Sequence, residues 1–198
     1  MPAVLTMTRV DGALKEEDMV DVALRRSNVD VERLGRVAAL GFVGGLRSQL
    51  PLALLALAAC SGRFAADAQD TPLRWLRHRA ATVGLGLAAA GELVGDKLPM
   101  VPPRIEPPSL IGRSATGALV GAAVARESGQ PLLPGTLVGV AGAIAGSYGG
   151  YYARRGLGRL TGLPDPFWGG VEDVVALGLG ALAVRPWLLS GKDTTSPS

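Results

Sequence analysis

Five charged residues stand inside or beside long apolar runs: Arg47, Glu92, Arg113, Glu172 and Asp173. Guanidinium and carboxylate groups set among glycine, alanine and leucine can do two kinds of work. They can neutralise one another as interhelical ion pairs that only fix packing. They can also line a polar path in which the carboxylates bind or relay a cation or a proton and the arginines set the charge balance. Either way each needs a partner, because a charge at a bilayer centre costs roughly 2.5–3.5 kcal/mol on insertion scales. The stretch GELVGDKLP, residues 91–99, poses the question most sharply. It places Glu92, Asp96 and Lys97 directly after ATVGLGLAAA and ends on Pro99.

Other chemistries find little support. Cys60 is the single cysteine, so no intramolecular disulfide can form. His78 is the single histidine and lies between Arg77 and Arg79, which excludes a histidine-rich metal site. No catalytic residue, metal ligand or cofactor can be named. The net charge is +3 and is carried largely by arginine. With no basic stripe interleaved with aromatics, nucleic acid is not an expected partner. The charge reads instead as topology and contact with lipid headgroups.

The elements that must position these residues are membrane helices. Of the 198 residues 48% are hydrophobic and 28 are glycine, yet only 5% are aromatic. Small residues in long apolar runs point to helices packed by close backbone approach. The expectation is an all-α polytopic bundle of about five glycine-rich spans. Residues 1–35 read as a polar extension, 36–190 as the integral membrane domain and 191–198 as a disordered tail. The N-terminus lacks the sustained apolar core of a secretory signal. Ser27-x-x-Asp30 reads as a capping box opening the first span.

The first span covers about residues 37–60 and is interrupted near Arg47–Pro51. It is either one kinked helix or two half-helices around a break. Thr71-Pro72 opens a second helix whose basic and aromatic start, PLRWLRHR, reads as an interfacial anchor. Its apolar part ends near Leu98, before the proline-dense loop VPPRIEPP. Ser109 caps a third segment ending near Arg126. A fourth runs from about residue 134 to 153, and Asp165-Pro166 opens a fifth that reaches Leu189. Trp168 and Trp187 read as anchors at its two ends.

Residues four apart share a helix face. Gly117, Gly121 and Ala125 form one such row, Gly135, Gly139 and Ala143 another, and Gly142, Gly146 and Gly150 a third. These rows predict close helix packing. Gly91 and Gly95, flanking Glu92, predict the same beside it.

With five spans, the end of the second and the starts of the third and fifth lie on one side. Glu92, Glu172 and Asp173 then lie roughly 10 Å inside, at about 1.5 Å per residue. Arg113 is in the first turn of the third span. Arg47 is placed in the first span entering from that same side, roughly 16 Å deep. Arg47 and Arg113 can therefore face Glu92 and Glu172 or Asp173, and Glu92 is expected to meet Arg47 or the Glu172–Asp173 step across the bundle. Asp96, Lys97 and Arg104 read as interfacial charges. Counting arginine and lysine puts the N-terminus in the cytoplasm of a multi-pass inner-membrane protein.

The motifs GGLRSQLPL, GELVGDKLPMVPPRIEPPSLIGR, SATGALVGAAVA, GAIAGSYGGYYARR and the late EDVVA, over roughly residues 36–185, resemble the bacterial membrane-protein family called domain of unknown function 4126. The run from Gly91 through Arg113 is the most distinctive part. The resemblance implies a small polytopic membrane protein and carries over no catalytic residues.

Three functions compete. The first is a small transporter- or channel-like protein with Arg47, Glu92, Arg113, Glu172 and Asp173 as its solute or ion site. The second is a non-catalytic assembly protein whose glycine rows bind partner helices or further copies of itself. The third is an enzyme acting on a lipid phosphate at the membrane surface. The expected partners are the lipid bilayer and a homo-oligomer.

Overall fold

The computed structural model describes residues 16–61, 72–95 and 105–189. The chain divides into two compact units, residues 1–32 and residues 33–198. The described residues are helical, in the order α1 (Glu16–Leu46), α2 (Leu50–Cys60), a 3₁₀ helix (Pro72–Arg77), α3 (Arg79–Gly95), α4 (Pro107–Glu127), α5 (Leu132–Thr161) and α6 (Asp165–Leu189). Among them, α5 and α6 are long and apolar enough, by length and composition, to cross a membrane. Ser27 lies inside α1 rather than at its start. No capping box opens a helix there, because the helix is already under way from Glu16.

Within residues 33–198 the helices alternate in direction. Close contacts pair Gly117 with Gly139 and Gly121 with Gly135, so α4 and α5 are antiparallel. Gly142 abuts Ala38 and Gly146 abuts Phe42, so α1 and α5 run parallel. Ser48 meets Glu92 and Ala56 meets Thr82, so α2 and α3 are antiparallel. Arg47 meets Asp173 and Leu54 meets Gly180, so α6 runs with α2 and against α1.

The segment expected as a first span is thus a hairpin of two helices. Helix α1 comes in, breaks after Leu46, and α2 returns from Leu50. Two helices thus stand where one span was expected, and of the five expected spans the described helices that are long and apolar enough to cross a membrane are α5 and α6. Arg33 does not start on the Glu92 side; its Nη1 donates to the Ser128 carbonyl, 3.4 Å away at the far end of α4 from Arg113. Arg36 stacks over Trp187, 5.9 Å from its ring centroid, at that same far end.

The glycine rows explain the tight part of the bundle. A Cβ on Gly135 would stand 2.8 Å from both the Ala125 Cβ and the Gly121 carbonyl oxygen. One on Gly142 would stand 2.7 Å from the Ala38 carbonyl oxygen. Gly117, Gly121, Gly135 and Gly139 therefore close α4 on α5, while Gly142 and Gly146 close α5 on α1. Around them a core forms from Val37, Leu40, Leu52, Leu55, Val120 and Val184. Gly162, at a φ of 71°, ends α5 by donating its N–H to the Gly158 carbonyl.

Three local expectations change. Gly91 and Gly95 have no close neighbour among the described residues; added Cβ atoms there, and at Gly84 and Gly86, would meet none of them within 4 Å. Ser109 lies within the first turn of α4, and the N-cap position is Glu106. Trp187 is buried rather than placed as a lipid-facing anchor, and its indole N–H donates to Glu127 at 3.1 Å.

A Leu side chain at Gly121 has to push backbone against backbone. Overpacking typically costs about 1–3 kcal/mol, so Gly121→Leu should lower the thermal midpoint of the detergent-solubilised protein by many degrees. Gly91→Ala should leave it unchanged or slightly raised. Equal midpoints for the two variants would contradict this packing.

Candidate functional site

Between Leu46 and Leu50 the helical ladder stops, leaving the last carbonyls of α1 and the first N–H groups of α2 without intrahelical partners. Leu50-Pro51 starts α2 with a proline that has no N–H to satisfy. Four of the backbone groups at the break are taken by charged side chains from other helices. Glu92, near the end of α3, accepts from the Ser48 N–H at 2.8 Å and from the Gln49 N–H at 3.0 Å, one bond on each carboxylate oxygen. Arg113, in the second turn of α4, donates through Nη1 to the carbonyls of Gly45 and Leu46 at 2.8 and 2.9 Å. Ser147 on α5 adds a bond of 3.3 Å to the Gly45 carbonyl.

The charges match the helix ends they face. A carboxylate sits at the positive end of α2 and a guanidinium at the negative end of α1. They also meet each other, with Arg113 Nη2 3.3 Å from Glu92 Oε1. Arg113 Nε donates to Ser109 Oγ at 3.3 Å, one turn earlier on its own helix. Two opposite helix termini and two opposite side chains thus form a closed electrostatic circuit at the break.

Arg47, the first residue of the break, points the other way, toward α6. It is 1% exposed. Its Nε donates to Asp173 Oδ1 at 2.7 Å, and Nη2 lies 2.5 Å from the same oxygen. Nη1 donates to the Leu46 carbonyl at 3.1 Å and lies 3.6 Å from Glu172. Glu172 in turn lies 3.8 Å from Arg154 on α5, which is paired with Asp165 at the head of α6. The chain of charges runs Asp173, Arg47, Glu172, Arg154, Asp165. Of its members, Arg154 lies on the helix that glycine-tight packing fixes against α1.

The five expected residues therefore gather around the break, as two linked groups rather than one. Glu92 does not meet Arg47 or the Glu172–Asp173 step; Arg113 occupies that role. The reason is the hairpin, which turns Arg47 toward α6 and presents the backbone of Ser48 and Gln49 to α3. Arg154 and Ser147 are additions that the sequence reading passed over. Both were signalled, since Arg154 continues the Gly142-Gly146-Gly150 row by one step and Ser147 continues the Gly135-Gly139-Ala143 row. Asp96, Lys97 and Arg104 lie outside the described residues. Among the described residues no group of three or more His, Cys, Asp and Glu is placed to hold a metal ion.

Beside the second group a cleft of about 290 Å³ opens between α1, α5 and α6. Phe42, Leu46, Gly150, Leu157, Trp168 and Val175 are among its walls, and Arg154 and Glu172 are its charged lining. Gly150, expected in a packing row, lines this cleft.

Replacing Glu92 by Ala leaves the Ser48 and Gln49 N–H groups without their carboxylate acceptor and removes the carboxylate that faces Arg113. Glu92 is part-buried, and hydrogen bonds to a charged group are worth about 1.5–3 kcal/mol. Thermal unfolding in detergent should show Glu92→Ala strongly destabilised and Glu92→Gln, which keeps one acceptor oxygen, less so. Identical midpoints for Glu92→Ala and the unmodified protein would contradict the cap.

No curated protein and no solved structure matches the chain. A family match covers residues 34–190, from the first half of the hairpin through the end of α6 and including every charged residue of the site. The chain belongs to the family described as Domain of unknown function (DUF4126).

Proposed function

We propose that residues 33–198 form a membrane-embedded helical bundle of transport type, and that the charges at the α1–α2 break are the polar element a proton or small ion passes. The observation that carries this reading is an inverted distribution of polarity. Arg47, Arg113, Glu172 and Asp173 are buried, whereas Val83, Leu87, Val94, Leu137, Val174 and Leu182 are exposed. Exposed apolar surface of this extent marks an interaction with lipid or partner helices. Ionisable residues inside such a bundle mark ion pathways and proton relays by default.

The hairpin supports the transport reading over a purely structural one. Broken helices whose ends converge on charged groups near mid-bundle are a recurrent way of building a solute site. Helix α2 has 11 residues, or about 16 Å at 1.5 Å per residue, too short to cross a ~30 Å core alone. Asp173 is eight residues into α6, about 12 Å from its start. The break therefore lies within the bundle, and its backbone groups depend on Glu92 and Arg113. Neutralising either changes what the open helix ends can bind.

A second reading, assembly through helix packing, has one observation of its own. The rows on α4 and α5 are used up inside the chain, but Gly84, Gly86, Gly91 and Gly95 of α3 have no close neighbour among the described residues.

Reconstitution into proteoliposomes tests the transport reading. A pH or ion gradient should drive flux through the unmodified protein, and Glu92→Gln and Glu172→Gln should each reduce it at least tenfold while the protein still reconstitutes. Normal flux in both variants would overturn the assignment of these carboxylates. Absence of flux in the unmodified protein across protons and small ions would favour assembly.

A further inference from the structure

Three residues on one face of α6 form a track for a single side chain. Asp165, Gly169 and Glu172 are four and then three residues apart, so they stack along the helix. Arg154 of α5 lies across all three. Its Nε donates to Asp165 Oδ1 at 3.1 Å and its Nη2 pairs with Asp165 Oδ2, the two-pronged grip of a guanidinium on a carboxylate. Its Nη1 lies 3.8 Å from Glu172 Oε2, close enough for attraction but beyond hydrogen-bond distance. Between the two carboxylates the guanidinium rests on Gly169. A Cβ there would stand 3.4 Å from Nη2, 3.5 Å from Cζ and 3.7 Å from Nη1, so the glycine leaves a bare floor under the planar group. A longer side chain at this position would stand in its way.

The two ends of the track have different surroundings. The Asp165 side chain is 67% exposed and that of Glu172 7%. Exposed ion pairs are held only weakly against water, so the outer seat is shallow despite its good geometry. Arg154 and Glu172 are together the charged lining of an otherwise apolar cleft. We infer that Arg154 is a positioning residue that moves between two seats and so sets access from the cleft to Glu172. Seated on Asp165, it leaves the Glu172 carboxyl open to the cleft. A shift of Nη1 by about 1 Å across the Gly169 floor brings it within hydrogen-bond distance of Glu172. There it covers the carboxyl and closes it to anything entering from the cleft. Arg154 is the outer link of the chain that leads through Glu172 to Arg47, so this movement regulates entry to the ion site proposed above. Its purpose rests on that reading; the two seats do not.

Dicyclohexylcarbodiimide, uncharged and apolar, tests this on the detergent-solubilised full chain with no gradient present. It adds to a carboxylic acid that is protonated and reachable. The carboxyl oxygen bonds to the central carbon, the proton goes to one nitrogen, and the acyl group then migrates to nitrogen as a stable N-acylurea. A guanidinium seated on the carboxylate removes both conditions. Peptide mass spectrometry at one fixed pH reads the labelling rate of Glu172. The unmodified protein should label there, and Arg154→Gln at least as fast. Asp165→Asn, which weakens the outer seat and sends Arg154 to Glu172, should label roughly tenfold more slowly, the equivalent of one hydrogen bond to a charged group. Adding Arg154→Gln to Asp165→Asn should restore the fast rate, since no guanidinium is left to move. If Arg154 only ties α5 to α6, Asp165→Asn loosens the cleft and labelling rises instead. A rise or no change in Asp165→Asn, slow labelling in the double variant, or no labelling of Glu172 with and without Arg154 would each overturn the inference. Because no flux is measured, failure here leaves the transport reading to its own test.

Discussion

The end of α1 and the start of α2 leave backbone groups with no helical partner, and much of the bundle is arranged to supply them. An unmade hydrogen bond on a buried backbone group costs about 1–3 kcal/mol in a protein interior. Glu92 and Arg113 supply partners from opposite sides, each placed against the helix end of opposite polarity. Neither α3 nor α4 could shift by a turn without unmaking those bonds.

That requirement gives the tight glycine contacts a purpose beyond packing. Helix α5 lies against both α1 and α4 with almost no side chain between them. The carbonyls of Gly45 and Leu46 are thereby held within reach of Arg113 and Ser147, and Arg47 is held against Asp173. Helix α3 is different, since its glycines face outward and Ala89 is its buried residue. Glu92 thus comes from a helix whose glycines take no part in the tight packing among the described residues. Its attachment to the break is electrostatic, through two N–H groups and one guanidinium.

Much of this was legible in the residues. Glycines four apart on α4 and α5 announced close packing, because a missing Cβ permits close approach, but not which helix would come close, and on α3 the same spacing at Gly91 and Gly95 meets no described neighbour. The cost of a charge in an apolar run announced that Arg47, Glu92, Arg113, Glu172 and Asp173 would meet. The pairing was not legible, because it depends on the direction of one short segment. Residues 37–60 have the length of a single span, and neither Arg47 nor Pro51 says whether a helix bends or turns back. Once the chain turns back, Arg47 faces α6 and the backbone of Ser48 and Gln49 takes its place beside Glu92. The parity of the helices changes with it, and so does the end at which Arg33 is found. Arg154 was overlooked because a basic residue after an apolar run reads as topology, although its position on the glycine row placed it on the buried face.

The claim at the centre of this account is that a side chain from α3 caps the broken helix. Hydrogen–deuterium exchange at Ser48 and Gln49 tests it most directly, since the first N–H groups of an uncapped helix exchange freely. Slow exchange at both amides, lost in Glu92→Ala while the amides of α5 stay protected, is the predicted result. Fast exchange at Ser48 and Gln49 in the unmodified protein would contradict it.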